Sequence, residues 1–206
     1  GMLISDDCLD IERVFMDPSD SQSDERRPVL YLLRRDLRDQ YGEENDPAGT
    51  VKLKSPLLIC LGIMIGFELL TKMYSGKGKF NEPGEGTKEV KIFMKDILDL
   101  GGQEASALIN FRHSLVHSYG LDIGENQILT VDDEITSAHR EMSTSNLGNG
   151  KQEIYINIWH LKNLFVRAIS EYKTRLLADQ KLVINFVSCL KNLGEIQIKE
   201  SVKSRL

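Results

Sequence analysis

The sequence predicts an all-α fold, a helical bundle with a small β-hairpin insertion before a long C-terminal helix. Three observations carry that expectation. Apolar residues recur at spacings of three and four in several separate segments, the pattern of helices that bury one face. The longest apolar run, Pro56 to Phe67, ends at Glu68 and reads as a central helix. Late in the chain two short β-branched runs, 126–131 and 152–157, flank a polar stretch and interrupt the helical pattern. With 206 residues, 41% of them apolar and 28% charged, the chain can build one core or at most two small ones. Collagenous, disulfide-stapled and wholly disordered classes are excluded by that composition.

The elements follow in chain order. Residues 1–25 hold eight acids and one Arg, and Asp17-Pro-Ser-Asp-Ser-Gln-Ser-Asp24 reads as a flexible acidic tail ahead of a single domain over 26–206. Over 26–41 the sign reverses, with five Arg against two Asp. Pro28 stands where a helix begins, and Leu30, Leu33, Leu37 and Tyr41 follow at helical spacing. Arg34, Arg35 and Arg38 then form either a solvated basic face or a surface that tracks RNA phosphates. A polar loop leads to a helix from about Ser55 to Tyr74, in which Gly62 and Gly66 let neighbouring helices approach closely. The glycine-rich stretch from Ser75 to Gly86 lacks the order of a phosphate-binding loop and follows a helix, so a flexible linker is expected.

Further helices are expected from Thr87 to Ile97 and from Gln103 to Tyr119. The runs 126–131 and 152–157 suggest a two-stranded ribbon closed by a long loop, with Asn-Leu-Gly-Asn-Gly near its end. A long helix starts at Ile158, bends around Ala178-Asp179-Gln180 and resumes from Leu182 until Gly194.

Charge and processing narrow the setting. The net charge is −5, which argues against coating nucleic acid by bulk charge. Three separated cysteines, Cys8, Cys60 and Cys189, make no metal-ligand spacing and suit a reducing, cytoplasmic environment. The start is acidic and unlike a secretory signal, and the apolar run of twelve residues is short for a bilayer, so no membrane partner is expected.

One helix carries an anomaly. Leu108, Ile109, Leu115, Val116 and Tyr119 form an apolar stripe on Gln103–Tyr119, and Arg112 falls in the middle of it. An unpaired buried charge costs several kcal/mol, so Arg112 must meet an anion, a carboxylate or a wet cleft. His113 and His117 stack on the adjoining flank, with His117 near the helix C-terminus, where carbonyl dipoles favour the imidazolium form. A histidine that changes charge near neutrality beside a permanent cation suits phosphodiester chemistry: the first moves protons and the second holds developing phosphorane charge. The His-x3-His spacing is also a chelating one, but the Glu of the zinc-protease pattern is replaced by Ser114, and a further ligand would have to come from His139, His160 or Asp122. No Gly-x-Ser-x-Gly elbow occurs. Neither a metal nor a cofactor is expected.

The segment Phe111-Arg-His-Ser-Leu-Val-His-Ser-Tyr-Gly120 resembles the signature of the HEPN superfamily, in which an Arg, often followed by Asn, Asp or His, is separated from a His by four to six intervening residues. The resemblance implies a HEPN-type bundle and a metal-independent endoribonuclease acting as a homodimer. Arg112 and His117 would be its catalytic pair and His113 the polar residue after the Arg. The partner copy would pack through the Arg112–His117 helix, with RNA in the cleft between two copies and a cyclic phosphate as product. The form Arg-x4-His-x-Tyr is similar to that of HEPN toxins paired with nucleotidyltransferase antitoxins, which implies a toxin or defence role and Tyr119 as acceptor of AMP. Two other readings stay open: a non-catalytic HEPN-like dimer that binds a nucleotide or a protein, and a helical scaffold in which Arg112 pairs with an internal carboxylate.

Overall fold

A computed structural model describes residues 11–18, 28–118, 127–135, 142–148 and 150–193. The fold is mostly helical with one small three-stranded sheet. A helical turn, α1 (11–14), is followed by α2 (Val29–Tyr41), α3 (Pro56–Ser75), α4 (Glu85–Leu98) and α5 (Gly102–Ser118). The sheet strands are β1 (Gln127–Asp132), β2 (Met142–Gly148) and β3 (Lys151–Asn157), and the chain closes with α6 (Ile158–Ala178) and α7 (Gln180–Asn192).

The hub is α3, which packs against α2, α4, α5, α6 and α7. An apolar helix buries most of its surface, leaving Leu58 and Ile65 exposed here, and two glycines allow the close approach this requires. A Cβ at Gly62 would stand 2.9 Å from Leu37, and one at Gly66 would stand 2.4 Å from the Phe165 ring. Among the described helices α3 is the one long and apolar enough to cross a bilayer, and 56% of its most apolar window is buried inside the bundle.

Several connections differ from expectation for identifiable reasons. The glycine-rich stretch after α3 is tied down. Gly76 ends α3 in the left-handed region at φ 76°, and the Lys77 N–H closes back on the Lys72 carbonyl. Lys77 then pairs with Glu85 at 2.9 Å and Glu89 at 2.7 Å, while Glu85 accepts the Asn81 N–H at 2.7 Å. α4 begins at Glu85, two residues before Thr87.

The acidic stretch before residue 26 is not a free tail along its whole length. Ile11, Val14 and Phe15 are buried, and the Phe15 ring packs edge-on to Tyr172 at 5.8 Å and against Phe186 at 6.1 Å. Among the described residues the core therefore reaches back to Ile11, upstream of residue 26.

The sheet order is β1-β3-β2. β1 and β3 are neighbours as expected but run parallel, and the hairpin is formed by β2 and β3. The cause is local. The turn glycines Gly148 and Gly150, both at positive φ, lie immediately before β3 and join it to the strand just upstream. Ile154 and Ile156 of β3 are buried, with Leu129, Val131 and Met142 beside them on the core face. Asn157 links sheet to helix: its Oδ1 accepts the Trp159 and His160 N–H groups as the N-cap of α6, and its Nδ2 donates to the Glu134 carbonyl at 3.1 Å. The bend expected around residues 178–180 occurs at Asp179, which ends α6 and caps α7 through Lys181 N–H at 2.8 Å.

Candidate functional site

Arg112 lies on α5 and its guanidinium reaches α3, where Nη2 donates to the Glu68 carboxylate. The opposite oxygen of Glu68 pairs with Lys72 at 3.1 Å, one turn further along α3. Glu68 is the sole acid in that 20-residue apolar helix. The demand for a partner that applies to Arg112 applies equally to it. Burial alone would raise the Glu68 carboxyl, but the Arg112 hydrogen bond and charge, with Lys72 behind, outweigh it and hold the pKa below the ordinary value. Glu68 is therefore ionised at neutral pH.

The pair does not exhaust the guanidinium. The Arg112 side chain keeps 16% of its surface exposed, so solvent or a ligand can reach it. Glu68 is its one hydrogen-bonding partner among the described residues, and Nε is buried without one. His113, next in sequence, is exposed on the adjoining flank, with its Nε2 3.2 Å from Thr87 Oγ1 at the start of α4. His117 falls in the last turn of α5, and Tyr119 lies outside the described residues. Arg112 and His113 thus meet Glu68, Lys72 and Thr87 where α3, α4 and α5 converge.

The apolar stripe beside Arg112 is arranged differently from the expectation of a surface between two copies. Leu108, Ile109 and Leu115 are buried in the chain's own core, along with Phe111. Arg112 stands at the margin of that packing, where α3 supplies a carboxylate.

The three arginines of the basic helix divide. Arg34 is buried: it forms a two-pronged pair with Glu44 at 2.6 and 2.7 Å, and its Nη1 donates to the Phe15 and Met16 carbonyls at 3.2 and 2.9 Å. It fastens the 11–18 segment and the following loop to α2 and is withdrawn from any surface that could track phosphate. Arg38 pairs with Glu43 and with Asp17 at 3.3 Å, and Arg35 with Asp36 at 3.0 Å. Arg35 and Arg38 line an open cleft of about 430 Å³ together with Asp39, Glu43 and Asp46. Its walls hold more acids than arginines, a poor match for a polyanion. The cleft lies on α2 and its loop, with no residue in common with the Arg112 group.

Sequence reasoning missed Glu68, Lys72 and Thr87 as neighbours of Arg112. The signal for Glu68 was present: a sole acid in an apolar helix and an Arg in the middle of an apolar stripe are natural partners. Thr87 left no such mark. Among the described residues no group of three or more His, Cys, Asp or Glu is placed to hold a metal ion. Comparison with known proteins gives no match, whether to a family model, a curated protein or a solved structure.

Proposed function

We propose that this chain is a metal-independent endoribonuclease of HEPN type, working as a homodimer in the cytoplasm as a toxin or defence component. The observation that carries the reading is the state of Arg112: a cation held in place by an ionised Glu68, partly open to solvent, with donors left over and His113 beside it. A guanidinium fixed before substrate arrives costs little reorganisation when charge develops on a phosphate.

The chemistry follows from these groups. His117 and His113 act as the proton-moving pair. One takes the ribose 2′-hydroxyl proton, the 2′-oxygen attacks phosphorus, and the 5′-oxygen leaves with a proton from the other. Arg112 carries the charge of the phosphorane between. The products are a 2′,3′-cyclic phosphate and a 5′-hydroxyl. A second copy would bring its own Arg112 and His117 to the exposed edge of this group, and Tyr119 would be the residue silenced by an antitoxin of nucleotidyltransferase type.

Incubation of the chain with single-stranded RNA in chelator tests the reading. Cleavage is expected, lost by at least about 100-fold in Arg112→Ala and in His117→Ala. Cleavage that needs a divalent metal, or that survives both substitutions, contradicts it. One observation favours a second reading. Arg112 is already paired inside its own chain, which suits a helical scaffold in which it meets an internal carboxylate. Absence of both RNA cleavage and thermal stabilisation by nucleotides would select that alternative, whereas stabilisation without cleavage would select a non-catalytic dimer that binds a nucleotide.

A further inference from the structure

The glycine-rich loop between α3 and α4 holds an aromatic ring that the core does not use. Phe80 is half-buried and stands apart from the hydrophobic cluster that absorbs nearly every other large apolar side chain around it. Its ring has two neighbours of consequence. The Lys72 ammonium lies 5.7 Å from the ring centroid. The backbone of Gly86 also comes near the ring, so that a Cβ there would stand 3.0 Å from its Cδ2.

Those neighbours place Phe80 at the Arg112 group. Lys72 pairs with Glu68, Glu68 with Arg112, and His113 follows Arg112 in sequence. The His113 ring meets Thr87, and Thr87 follows Gly86, which brings the contacts back to Phe80. The circuit is closed and holds two cations, a histidine, one carboxylate and one partly exposed aromatic ring. Lys79, beside Phe80, is exposed.

We infer that Phe80 is a nucleobase-stacking platform for single-stranded RNA, with Lys72 and Arg112 taking the adjoining phosphate. A flat apolar ring beside fixed cations is the pairing that unpaired nucleotides demand: the base offers a π face and the backbone an anion about one nucleotide away. Double-stranded RNA is excluded as the ligand, because its bases are stacked on one another and offer no free face to a single ring. Stacking is tolerant of base identity, so this platform selects strandedness and leaves sequence to other contacts. The ordered loop has a purpose on this reading. The Lys77 pairs with Glu85 and Glu89, and the Gly76 turn, hold Phe80 in position before the ligand arrives.

The inference rests on the proposed RNA reading but is tested without cleavage. The full chain is titrated, in chelator, into a fluorescein-labelled 2′-O-methyl oligouridine, which cannot be cut through its 2′-oxygen, and into an abasic phosphodiester oligomer of equal length. Phe80→Ala is expected to weaken binding of the oligouridine about tenfold or more and to leave the abasic oligomer unchanged. Phe80→Trp is expected to bind the oligouridine at least as well as the unaltered chain. Equal binding by Phe80→Ala, equal loss on both oligomers, or no binding of the oligouridine by the unaltered chain overturns the platform. Phe80-dependent binding beside an absence of RNA cleavage supports it while removing the nuclease.

Discussion

A guanidinium on the helix that buries Leu108, Ile109 and Leu115 needs an anion, and Glu68 supplies one from a helix that has no other acid. The consequence for stability has a definite sign. The folded-state pKa of Glu68 lies below its value in the unfolded chain, about 4.3. Its contribution is therefore present above that value and is lost as pH falls through the lower, folded one. Glu68→Gln should cost about 1–2 kcal/mol at neutral pH, after allowance for solvent screening, and should flatten the acid limb of the stability curve. Urea titrations of both proteins between neutral and acid pH check this; parallel acid limbs would contradict it. A second residue-scale prediction concerns Lys162, whose buried ammonium donates to the Glu43 carbonyl at 2.7 Å and the Asp46 carbonyl at 3.2 Å above the Tyr41 ring. Lys162→Met should cost about 1–3 kcal/mol by orphaning those carbonyls, measured by chemical denaturation.

Elements obey the sequence where one periodicity governs them and depart from it where tertiary contact does. The helices were legible because each repeats apolar residues every three or four positions, and the α6–α7 break because Asp179 can end one helix and cap the next. β2 was not legible: Met-Ser-Thr-Ser-Asn-Leu-Gly has no alternating apolar face, and its pairing comes from β3 alone. Nor was the burial of Ile11, Val14 and Phe15, whose few apolar residues are surrounded by acids in sequence. Phe15→Ala should therefore destabilise the domain by about 3–5 kcal/mol in calorimetry or denaturant, whereas a residue in a free tail would change nothing. Gly66→Ala tests the packing of α3. Helix propensity would gain up to about 1 kcal/mol, but the new methyl would lie 2.4 Å from a fully buried Phe165 ring. Overpacking should win, for a net loss of about 1–2 kcal/mol.

Across the whole molecule the net charge of −5 conceals a division that bears on function. The acids crowd the first 25 residues, and the described part of that segment lies on the basic helix, with Asp17 on Arg38 and two carbonyls on Arg34. A broad basic face on α2 is thus largely spent within the chain. The group around Arg112 offers an anion two cations; Arg112 and His113 were legible in the sequence, and Glu68, Lys72 and Phe80 join them from elsewhere in the fold. RNA binding through so few cations should show a shallow salt dependence, weaker than that of a protein neutralising many phosphates. The central claim is that this group cuts RNA by attack of the neighbouring 2′-oxygen. End-group analysis of RNA incubated with the chain in chelator tests it most directly. The account predicts 2′,3′-cyclic phosphate and 5′-hydroxyl ends that vanish in Arg112→Ala; intact RNA, or 5′-phosphate ends produced only when a divalent metal is restored, would contradict it.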